Sequence, residues 1–250
     1  MNSNDNQFSL QGKTVLVTGA SSGIGRSIAI TCSKMGASVV AVGRDEKRLS
    51  ETLSLLDGYS HVSFRLDLTQ INDYSDTIER FPKLDGIVHC AGIRHLTVCK
   101  MITAEDIDTQ FDVNFKGPVL LQSSLLSRKK VKKGASIVFI ASLAYAAAGI
   151  GNAIYSATKG AIISYANCLK VELAPRLIRV NCISPAMIQT DMIHQHDVTE
   201  DMLEADQQTY LFKTYGTPND VANLTVYLLS DASRWMTGSN IELTGGAPKI

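Results

Sequence analysis

Three polar side chains in the middle of the chain have the types and the spacing needed for proton transfer. Tyr155 and Lys159 are four residues apart, and Ser142 lies thirteen residues before Tyr155, at the end of an apolar, strand-like stretch. On a helix, residues four apart share one face, so the lysine ammonium lies beside the tyrosine phenol. A neighbouring cation favours the phenolate and lowers the pKa of such a phenol from about 10 toward neutrality. A phenol tuned in this way can protonate an alkoxide or deprotonate an alcohol.

A glycine-rich turn near the start of the chain predicts a dinucleotide site. Residues 18–25 have the sequence TGASSGIG, with Gly19, Gly23 and Gly25, and they follow another apolar stretch. Glycine lets the backbone approach a pyrophosphate, and the start of the following helix favours its negative charge. The spacing differs from the commoner GxGxxG, and such turns also end ordinary strands. Combined with a proton donor, however, the turn predicts hydride transfer at a carbonyl or alcohol carbon.

Short apolar runs rich in Val and Ile alternate along the chain with longer helical patterns, as they do in parallel βαβ units. The predicted strands span Thr14–Thr18, Ser38–Val42, Val62–Leu66, Gly86–His89, Ser136–Ile140, Arg179–Ile183 and Asn240–Leu243. The predicted helices span Gly23–Met35, Glu46–Leu56, Ile71–Arg80, Ala104–Gln110, Phe115–Ser127, Ile154–Leu173 and Pro218–Leu229. We therefore expect an α/β fold with a doubly wound, seven-stranded parallel sheet of the Rossmann-like type, and ligands at the carboxyl ends of its strands.

Residues 187–217, which we call the lid segment, interrupt this alternation directly after the sixth predicted strand. They mix polar residues with apolar side chains and contain a helical pattern near Glu200–Gln208. A long insertion at the carboxyl edge of a sheet is typical of a lid over a substrate. We therefore expect one domain, residues 1–250, with a mobile lid segment whose backbone pairs little with the sheet.

The composition argues against a nucleic-acid-binding, membrane or secreted protein. Lys+Arg and Asp+Glu are equal at 24 each, so no net charge attracts a polyanion. Residues 1–13 lack the apolar core of a signal peptide, and glycines interrupt the uncharged stretch 135–158, unlike a membrane-spanning helix. The scattered, odd-numbered cysteines are typical of a reduced, cytoplasmic protein: Cys32, Cys90, Cys99, Cys168 and Cys182.

The end of the second predicted strand bears on the choice of cofactor. An acidic residue at this place would accept the ribose hydroxyls of NAD, but the chain has Gly43. Arg44 can instead fork around the 2′-phosphate of NADP, although an arginine at a loop start is often only solvated. Asp45 either points away or caps the next helix. The pattern favours NADP(H) over NAD(H).

Residues after the third and fourth predicted strands are further candidates for cofactor contacts. Asp67 could accept a hydrogen bond from the adenine amino group, or it could be a helix N-cap, since a polar turn follows it. Cys90, Ala91 and Gly92 are small and permit close approach of the backbone to a cofactor.

Two clusters of charged or polar residues suggest partners only weakly. The basic run of Arg128, Lys129, Lys130, Lys132 and Lys133 could attract an acidic carrier protein, but cations at the negative end of a helix are the simpler interpretation. The sequence His194-Gln195-His196-Asp197 resembles a metal-binding pair superficially. An isolated pair in a lid is usually solvated, so no metal site is predicted.

As a set, these residues resemble the short-chain dehydrogenase/reductase family over nearly the whole chain, from Lys13 to Gly246. The resemblance rests on segment 18–25, Asp67, segment 90–92, Asn114, Ser142, Tyr155, Lys159, Val180-Asn181 leading into Pro185, Thr190, and the tail from Thr237-Gly238 to Gly245-Gly246. It implies a Rossmann-like fold, a nicotinamide cofactor and a homotetramer.

The resemblance also implies a role for each matching residue. Tyr155 would be the catalytic acid/base, and Lys159 would bind the nicotinamide ribose and assist it. Ser142 would orient the carbonyl, and Asn114 would support the proton relay through a bound water. The implied cofactor contacts are Gly19, Ser21, Ser22, Gly23, Ile24, Gly25, Arg44, Asp67, Leu68, Cys90, Ala91, Gly92, Tyr155, Lys159, Pro185, Ile188 and Thr190.

Two residues depart from the family pattern. Cys90 stands where asparagine is common, which removes a side-chain amide, and Ala186 stands where glycine is common, which adds a methyl group near the nicotinamide. Neither departure removes a reactive group.

We therefore predict an enzyme that transfers hydride between NADP(H) and a small-molecule carbonyl or secondary alcohol. A more specific alternative is a 3-oxoacyl-carrier-protein reductase, with acyl-carrier protein as partner. An alternative from another class is a non-catalytic, cofactor-sensing regulatory protein on the same fold. The complete set of Ser142, Tyr155 and Lys159 favours the enzyme.

Overall fold

The computed structural model describes residues 6–70, 74–194 and 199–248. Its strands are β1 (Thr14–Thr18), β2 (Ser38–Gly43), β3 (Val62–Arg65), β4 (Leu84–His89), β5 (Val131–Ile140), β6 (Arg179–Pro185) and β7 (Asn240–Leu243). They form one seven-stranded, parallel sheet in the order β3-β2-β1-β4-β5-β6-β7, which confirms the predicted fold class. The order reverses between β1 and β4, so the loops that follow these two strands diverge and open a crevice at the carboxyl edge.

Helices cover both faces of the sheet. The α-helices of the described chain are α1 (Gly23–Lys34), α2 (Glu46–Ser54), α3 (Tyr74–Glu79), α4 (Ala104–Phe111), α5 (Gly117–Ser127), α6 (Ala153–Leu173), α7 (Glu200–Gln207) and α8 (Pro218–Leu229). One apolar core packs α1, α2 and α8 against the sheet, and a second packs α3, α5 and α6 against its other face. Within the described part of the chain, no helix has the length and apolar character needed to cross a membrane.

Several predicted boundaries differ from the structure by one or two residues, and one differs by five. β5 begins at Val131, five residues before the predicted start, because Val131 pairs with Leu84 at the start of β4. The helix predicted from Phe115 begins instead at Gly117, after a π-helical turn at Asp112–Lys116 that joins α4 to α5. The helix predicted over residues 71–80 is present as α3, while residues 71–73 lie outside the described residues.

The basic run at residues 128–133 lies at the end of the sheet away from the crevice. Arg128 follows the last turn of α5, as expected for cations at a helix end, but the run continues into β5. Lys130 donates to two backbone carbonyls at 2.7 and 2.9 Å, and Lys132 Nζ lies 2.8 Å from Asp85 Oδ2. A ten-residue strand separates the start of β5 from the crevice, a distance of about 30 Å. The run therefore gives no support to a carrier protein docked at the crevice.

The lid segment is held by contacts within itself and with the tail of the chain. It has its own apolar cluster, formed by Ile193, Leu203, Tyr210 and Tyr215. Residues 187–189 exchange backbone hydrogen bonds of 3.1 and 2.9 Å with Gly216, and the amides of residues 211 and 212 donate to the carbonyls of residues 246 and 245. Gly216 belongs to the lid segment itself and residues 245 and 246 follow β7, so these bonds agree with the predicted scarcity of pairing with the sheet, and mobility stays a prediction. Residues 195–198, and with them most of the histidine motif, lie outside the described residues.

A polar pair is buried between β4 and α5. His89 is 4% exposed, stacks on Phe139 with ring centroids 4.6 Å apart, and donates from Nε2 to Gln122 Oε1 at 2.9 Å. Among the described residues, its Nδ1 and the Gln122 Nε2 have no hydrogen-bond partner. Burial lowers the pKa of His89 from 6.5 to about 4, although the Gln122 hydrogen bond acts in the opposite direction. The folded protein therefore holds this imidazole neutral at pH values where an exposed histidine is already charged.

We predict that mild acid destabilises the fold through His89. The unfolded chain takes up this proton as the pH falls through 6.5, whereas the folded chain takes it up only near 4. Neutral His89 therefore contributes roughly 3 kcal/mol to the free energy of unfolding. This contribution is fully present above the pKa of the unfolded state and is lost progressively as the pH falls to the pKa of the folded state. Urea unfolding at several values between about pH 7.5 and about pH 4.5 measures it.

The double variant His89→Phe/Gln122→Leu provides the matched control, because it removes both polar partners and leaves neither one unsatisfied. Its unfolding free energy should stay nearly constant over the same pH range. An equal loss of stability in wild type and double variant would mean that other groups titrate in this window, and the assignment to His89 would be wrong.

Candidate active site

The crevice at the carboxyl edge is one continuous cleft of about 1080 Å³. Its walls come from the residues that follow β1 to β6, from the first turns of α1 and α6, and from the lid segment. Every predicted site residue lines this cleft except Asn114. Folding therefore brings together residues that are widely separated in the sequence.

The glycine-rich turn after β1 is held tightly against the loop after β4. Gly19 has a φ of +69°, and a Cβ at this position would lie 2.9 Å from the Cα of Ala91. Only glycine permits both this backbone conformation and this close approach. Arg26, on α1, donates to the carbonyl of Ser21 at 2.6 Å and fixes the shape of the turn. The predicted phosphate contacts all line the cleft at the positive end of α1: Ser21, Ser22, Gly23, Ile24 and Gly25.

Beyond β2, Arg44 and Asp45 both line the cleft, while position 43 is a glycine. A Cβ at Gly43 would lie 3.3 Å from Ser21 Oγ, so a side chain here would crowd the turn after β1. Asp45 accepts a hydrogen bond from Arg48 N at 3.0 Å and caps α2, which settles the alternatives that the sequence left open. The exposed Arg44 lines the cleft and makes no ion pair with a described carboxylate.

Asp67 and Cys90 both line the cleft and both serve local structure. Asp67 Oδ1 accepts from the backbone N and the Oγ1 of Thr69, each at 2.9 Å, so it caps a turn. The backbone N of Cys90 donates to Thr18 Oγ1 at 3.0 Å. Desolvation raises the pKa of the Cys90 thiol to about 12, against a lowering effect of the Lys159 charge. The thiol is therefore protonated at neutral pH and is a poor nucleophile.

Ser142, Tyr155 and Lys159 meet beyond the carboxyl end of β5. Ser142 Oγ accepts from Ala144 N at 3.2 Å, which leaves its hydroxyl proton available for a ligand. Tyr155 lies in the first turn of α6, and Lys159 Nζ is 5.6 Å from the centre of its ring. Lys159 is only 5% exposed, and its ammonium donates to the Ile140 carbonyl at 2.9 Å. An ammonium has three N–H bonds, so two remain beyond this contact for groups in the cleft.

Asn114 lies beneath the cleft, in the π-helical turn between α4 and α5. It is 2% exposed, and its amide accepts from Ile93 N at 2.8 Å and donates to Ile93 O at 2.9 Å and Thr158 Oγ1 at 3.2 Å. A Cβ at Gly92 would lie 3.2 Å from Asn114 Oδ1 and 3.5 Å from Lys159 Nζ. Asn114 therefore clamps the loop after β4 against α6, whereas its predicted role in a water relay stays a prediction.

Pro185, Ile188 and Thr190 line the cleft where the chain leaves β6. Thr190 Oγ1 donates to the Ile188 carbonyl at 3.3 Å, and a Cβ at Gly23 would lie 3.4 Å from Thr190 Cγ2. This segment therefore approaches the glycine-rich turn across the cleft. Ala186 packs against the apolar cluster of the lid segment, so its methyl group has a structural function.

Two polar residues in the wall of the cleft, Arg94 and Asn152, were not predicted from the sequence. Arg94 Nε donates to Asn152 Oδ1 at 3.1 Å, and Asn152 directly precedes α6. The position of Arg94, two residues after the small segment 90–92, could have identified it as a residue at the carboxyl edge. Asn152 lies in an uncharged loop that carries no motif, so nothing local marks it.

Comparisons with known proteins place this geometry in a family. Residues 19–247 match the family model described as enoyl-(acyl carrier protein) reductase. The chain is 34% identical to the 3-oxoacyl-[acyl-carrier-protein] reductase FabG of Rickettsia felis, over 95% of this chain and 97% of that protein. It is 33% identical to the L-xylulose reductase of Caenorhabditis elegans, over 94% of this chain and 95% of that protein.

The solved structures that it resembles share the fold over the same extent. The short-chain dehydrogenase/reductase SDR:Glucose/ribitol dehydrogenase of Brucella melitensis superposes with a TM-score of 0.89 at 31% identity, covering 96% of this chain and 98% of that chain. A dehydrogenase/reductase of Sinorhizobium meliloti 1021 gives a TM-score of 0.88 at 30% identity, with 96% and 97% covered.

Proposed function

The chain belongs to the short-chain dehydrogenase/reductase family of oxidoreductases, and we propose that it transfers hydride between NADP(H) and a carbonyl or secondary alcohol substrate. One observation carries the proposal. The buried ammonium of Lys159 lies beside Tyr155 in the same cleft that the glycine-rich turn enters. A proton-transfer group and a phosphate-binding turn in one cleft are what hydride transfer to a carbonyl requires.

The cleft suits a dinucleotide with a 2′-phosphate. The glycine-rich turn would hold the pyrophosphate, because its close approach to Ala91 leaves backbone rather than side chains facing the cleft. Arg44 would pair with the 2′-phosphate, and the remaining N–H bonds of Lys159 would donate to the nicotinamide ribose. When bound, NADPH supplies the hydride.

Tyr155 supplies the proton in the direction of reduction. As the carbonyl carbon gains the hydride, the π electron pair of the carbonyl moves to its oxygen, which takes the Tyr155 proton. Ser142 donates a hydrogen bond to that oxygen and holds it near the phenol. Lys159 stabilises the phenolate that remains, and solvent returns a proton to it. The products are the alcohol and NADP⁺.

Asn114 acts as a positioning residue in this proposal. Its side chain holds the loop after β4 against the helix that carries Tyr155 and Lys159. Asn114 Oδ1 and Lys159 Nζ approach Gly92 from the same side, which supports a path for a proton from Lys159 past Asn114 to solvent.

A 3-oxoacyl-carrier-protein reductase is the second candidate, and the name of the Rickettsia felis relative favours it. The basic run at residues 128–133 does not, because it lies at the far end of β5 from the cleft. A carrier protein would have to dock beside the lid segment instead. A purely regulatory protein is disfavoured, since it would have no need for a complete set of Ser142, Tyr155 and Lys159.

We predict that Tyr155→Phe lowers turnover by about 10² or more while NADPH still binds, because the substitution removes the proton and keeps the ring. The measurement is NADPH oxidation, followed by absorbance, with a panel of ketones and one 3-oxoacyl thioester. Cofactor titration of the same variant is the control for a local collapse of the cleft. Near-normal turnover by Tyr155→Phe would contradict the role of this phenol.

We predict that the protein prefers NADPH to NADH, and that Arg44→Ala removes the preference. Loss of one charge-assisted contact should weaken NADPH binding by about 10- to 150-fold. NADH, which lacks the 2′-phosphate, is the matched control, and its affinity should not change in the variant. Equal affinities for both cofactors in wild type would refute the preference, and unchanged NADPH binding in Arg44→Ala would exclude Arg44.

A further inference from the structure

We propose that Arg94 binds an anionic group of the substrate and selects carbonyl compounds that carry a carboxylate. This inference rests on the proposed carbonyl reduction, because it names the substrate class of the same site. Arg94 is half-buried in the loop after β4 and lines the cleft, yet proton transfer and cofactor binding make no use of it.

The loop that carries Arg94 is clamped at the residues on both sides of it. The backbone N and O of Ile93 bond to the Asn114 side chain at 2.8 and 2.9 Å. The backbone N and O of His95 bond to the Gln110 side chain at 3.2 and 3.1 Å. Gln110 and Asn114 are 0% and 2% exposed, so both clamps are part of the protein interior. The clamps fix the backbone that aims Arg94 at the cleft.

One nitrogen of the Arg94 guanidinium donates to a side chain, and the other two are available to a ligand. Its Nε donates to Asn152 Oδ1 at 3.1 Å, and Asn152 lies three residues before Tyr155. Its two terminal amino groups have no hydrogen-bond partner among the described residues. These groups form a planar fork that matches the two oxygens of a carboxylate. The positive end of α6, which begins beside Asn152, adds to the attraction for an anion.

The carboxylates on the lid side of the cleft do not neutralise Arg94. Asp206 accepts from the Tyr215 hydroxyl at 2.7 Å, and Asp191 is exposed at the start of a short 3₁₀ helix. Neither forms an ion pair with Arg94. An anionic partner stabilises a half-buried cation, so a carboxylate on the substrate would bind favourably to Arg94. The closeness of Asn152 to Tyr155 in the sequence puts that carboxylate near the reacting carbonyl, as in a small oxo acid.

The first test compares oxo acids with their own methyl esters as substrates of the NADPH-loaded protein. Pyruvate, acetoacetate and levulinate, each beside its methyl ester, vary the distance from carbonyl to carboxylate. In wild type, kcat/KM for the preferred acid should exceed that for its ester by about 10-fold or more, and Arg94→Gln should abolish the ratio by lowering the acid value alone. Arg94→Lys, which keeps the charge but loses the paired N–H donors of the guanidinium, should retain part of the acid-to-ester ratio.

The matched control is Lys100→Gln, which removes an exposed cation that follows the same loop and does not line the cleft. Its acid-to-ester ratio should equal that of wild type. A ratio near one in wild type, or a ratio that survives Arg94→Gln, would overturn the proposal. Dihydroxyacetone phosphate tests the other anionic group, and an Arg94-dependent preference for it over every oxo acid would overturn the assignment to a carboxylate.

A binding experiment separates this proposal from the proposed reaction. Calorimetric titration of the same acids and esters into NADP⁺-loaded protein measures affinity without turnover. Binding of an acid about 10-fold tighter than its ester, lost in Arg94→Gln, supports the anion site even if no ketone is reduced, and the proposed reduction would then be wrong. Absence of any such difference in binding would reject the anion site, whatever ketones the protein reduces.

Discussion

A buried ammonium is the constraint on which the arrangement of the cleft depends. Lys159 is 5% exposed, and a charge removed from water to this extent is costly unless polar groups surround it. The Ile140 carbonyl at the end of β5 meets part of this need at 2.9 Å, so the sheet itself fixes the position of the charge. Because Tyr155 lies one turn earlier on α6, its phenol is fixed with it. Two N–H bonds of the ammonium remain for groups in the cleft, so a bound ligand would further stabilise this centre.

The loops around this centre are rigid for identifiable reasons. Thr18 Oγ1 accepts from the backbone N of both Cys90 and Ala91, at 3.0 and 3.1 Å, and so joins the ends of β1 and β4. Asn114 then joins the loop after β4 to α6. The proposed cofactor contacts and reactive groups are thereby held by connected loops, and residues of the lid segment line the same cleft. In the proposed function, these connected loops would hold the reacting groups, and Arg94 with the lid segment would select the substrate.

Local sequence signals predicted the strands, the glycine-rich turn and the shared helix face of Tyr155 and Lys159, because each depends on spacing within one element. Contacts between distant elements were not predictable in this way. β5 extends back to Val131 only because Leu84 pairs with it, and Asn114 lies beneath the cleft because a π-helical turn rotates it toward Ile93. The lid segment pairs with the tail at residues 245 and 246, which are distant in the sequence. The sequence places Arg94 near the carboxyl edge, but the clamps that aim it at the cleft come from α4 and from the π-helical turn.

The claim that Lys159 acts through Tyr155 is tested most directly by a double-mutant cycle on the hydride-transfer step. The rate of deuterium transfer from NADPH labelled at C4 to a reducible ketone would be measured in single turnovers at saturating cofactor, for wild type, Tyr155→Phe, Lys159→Met and the double variant. If the two residues act as one unit, the double variant should be no more than about 3-fold slower than the slower single variant. Losses that multiply in the double variant would contradict the account, because they would mean that the ammonium and the phenol act independently.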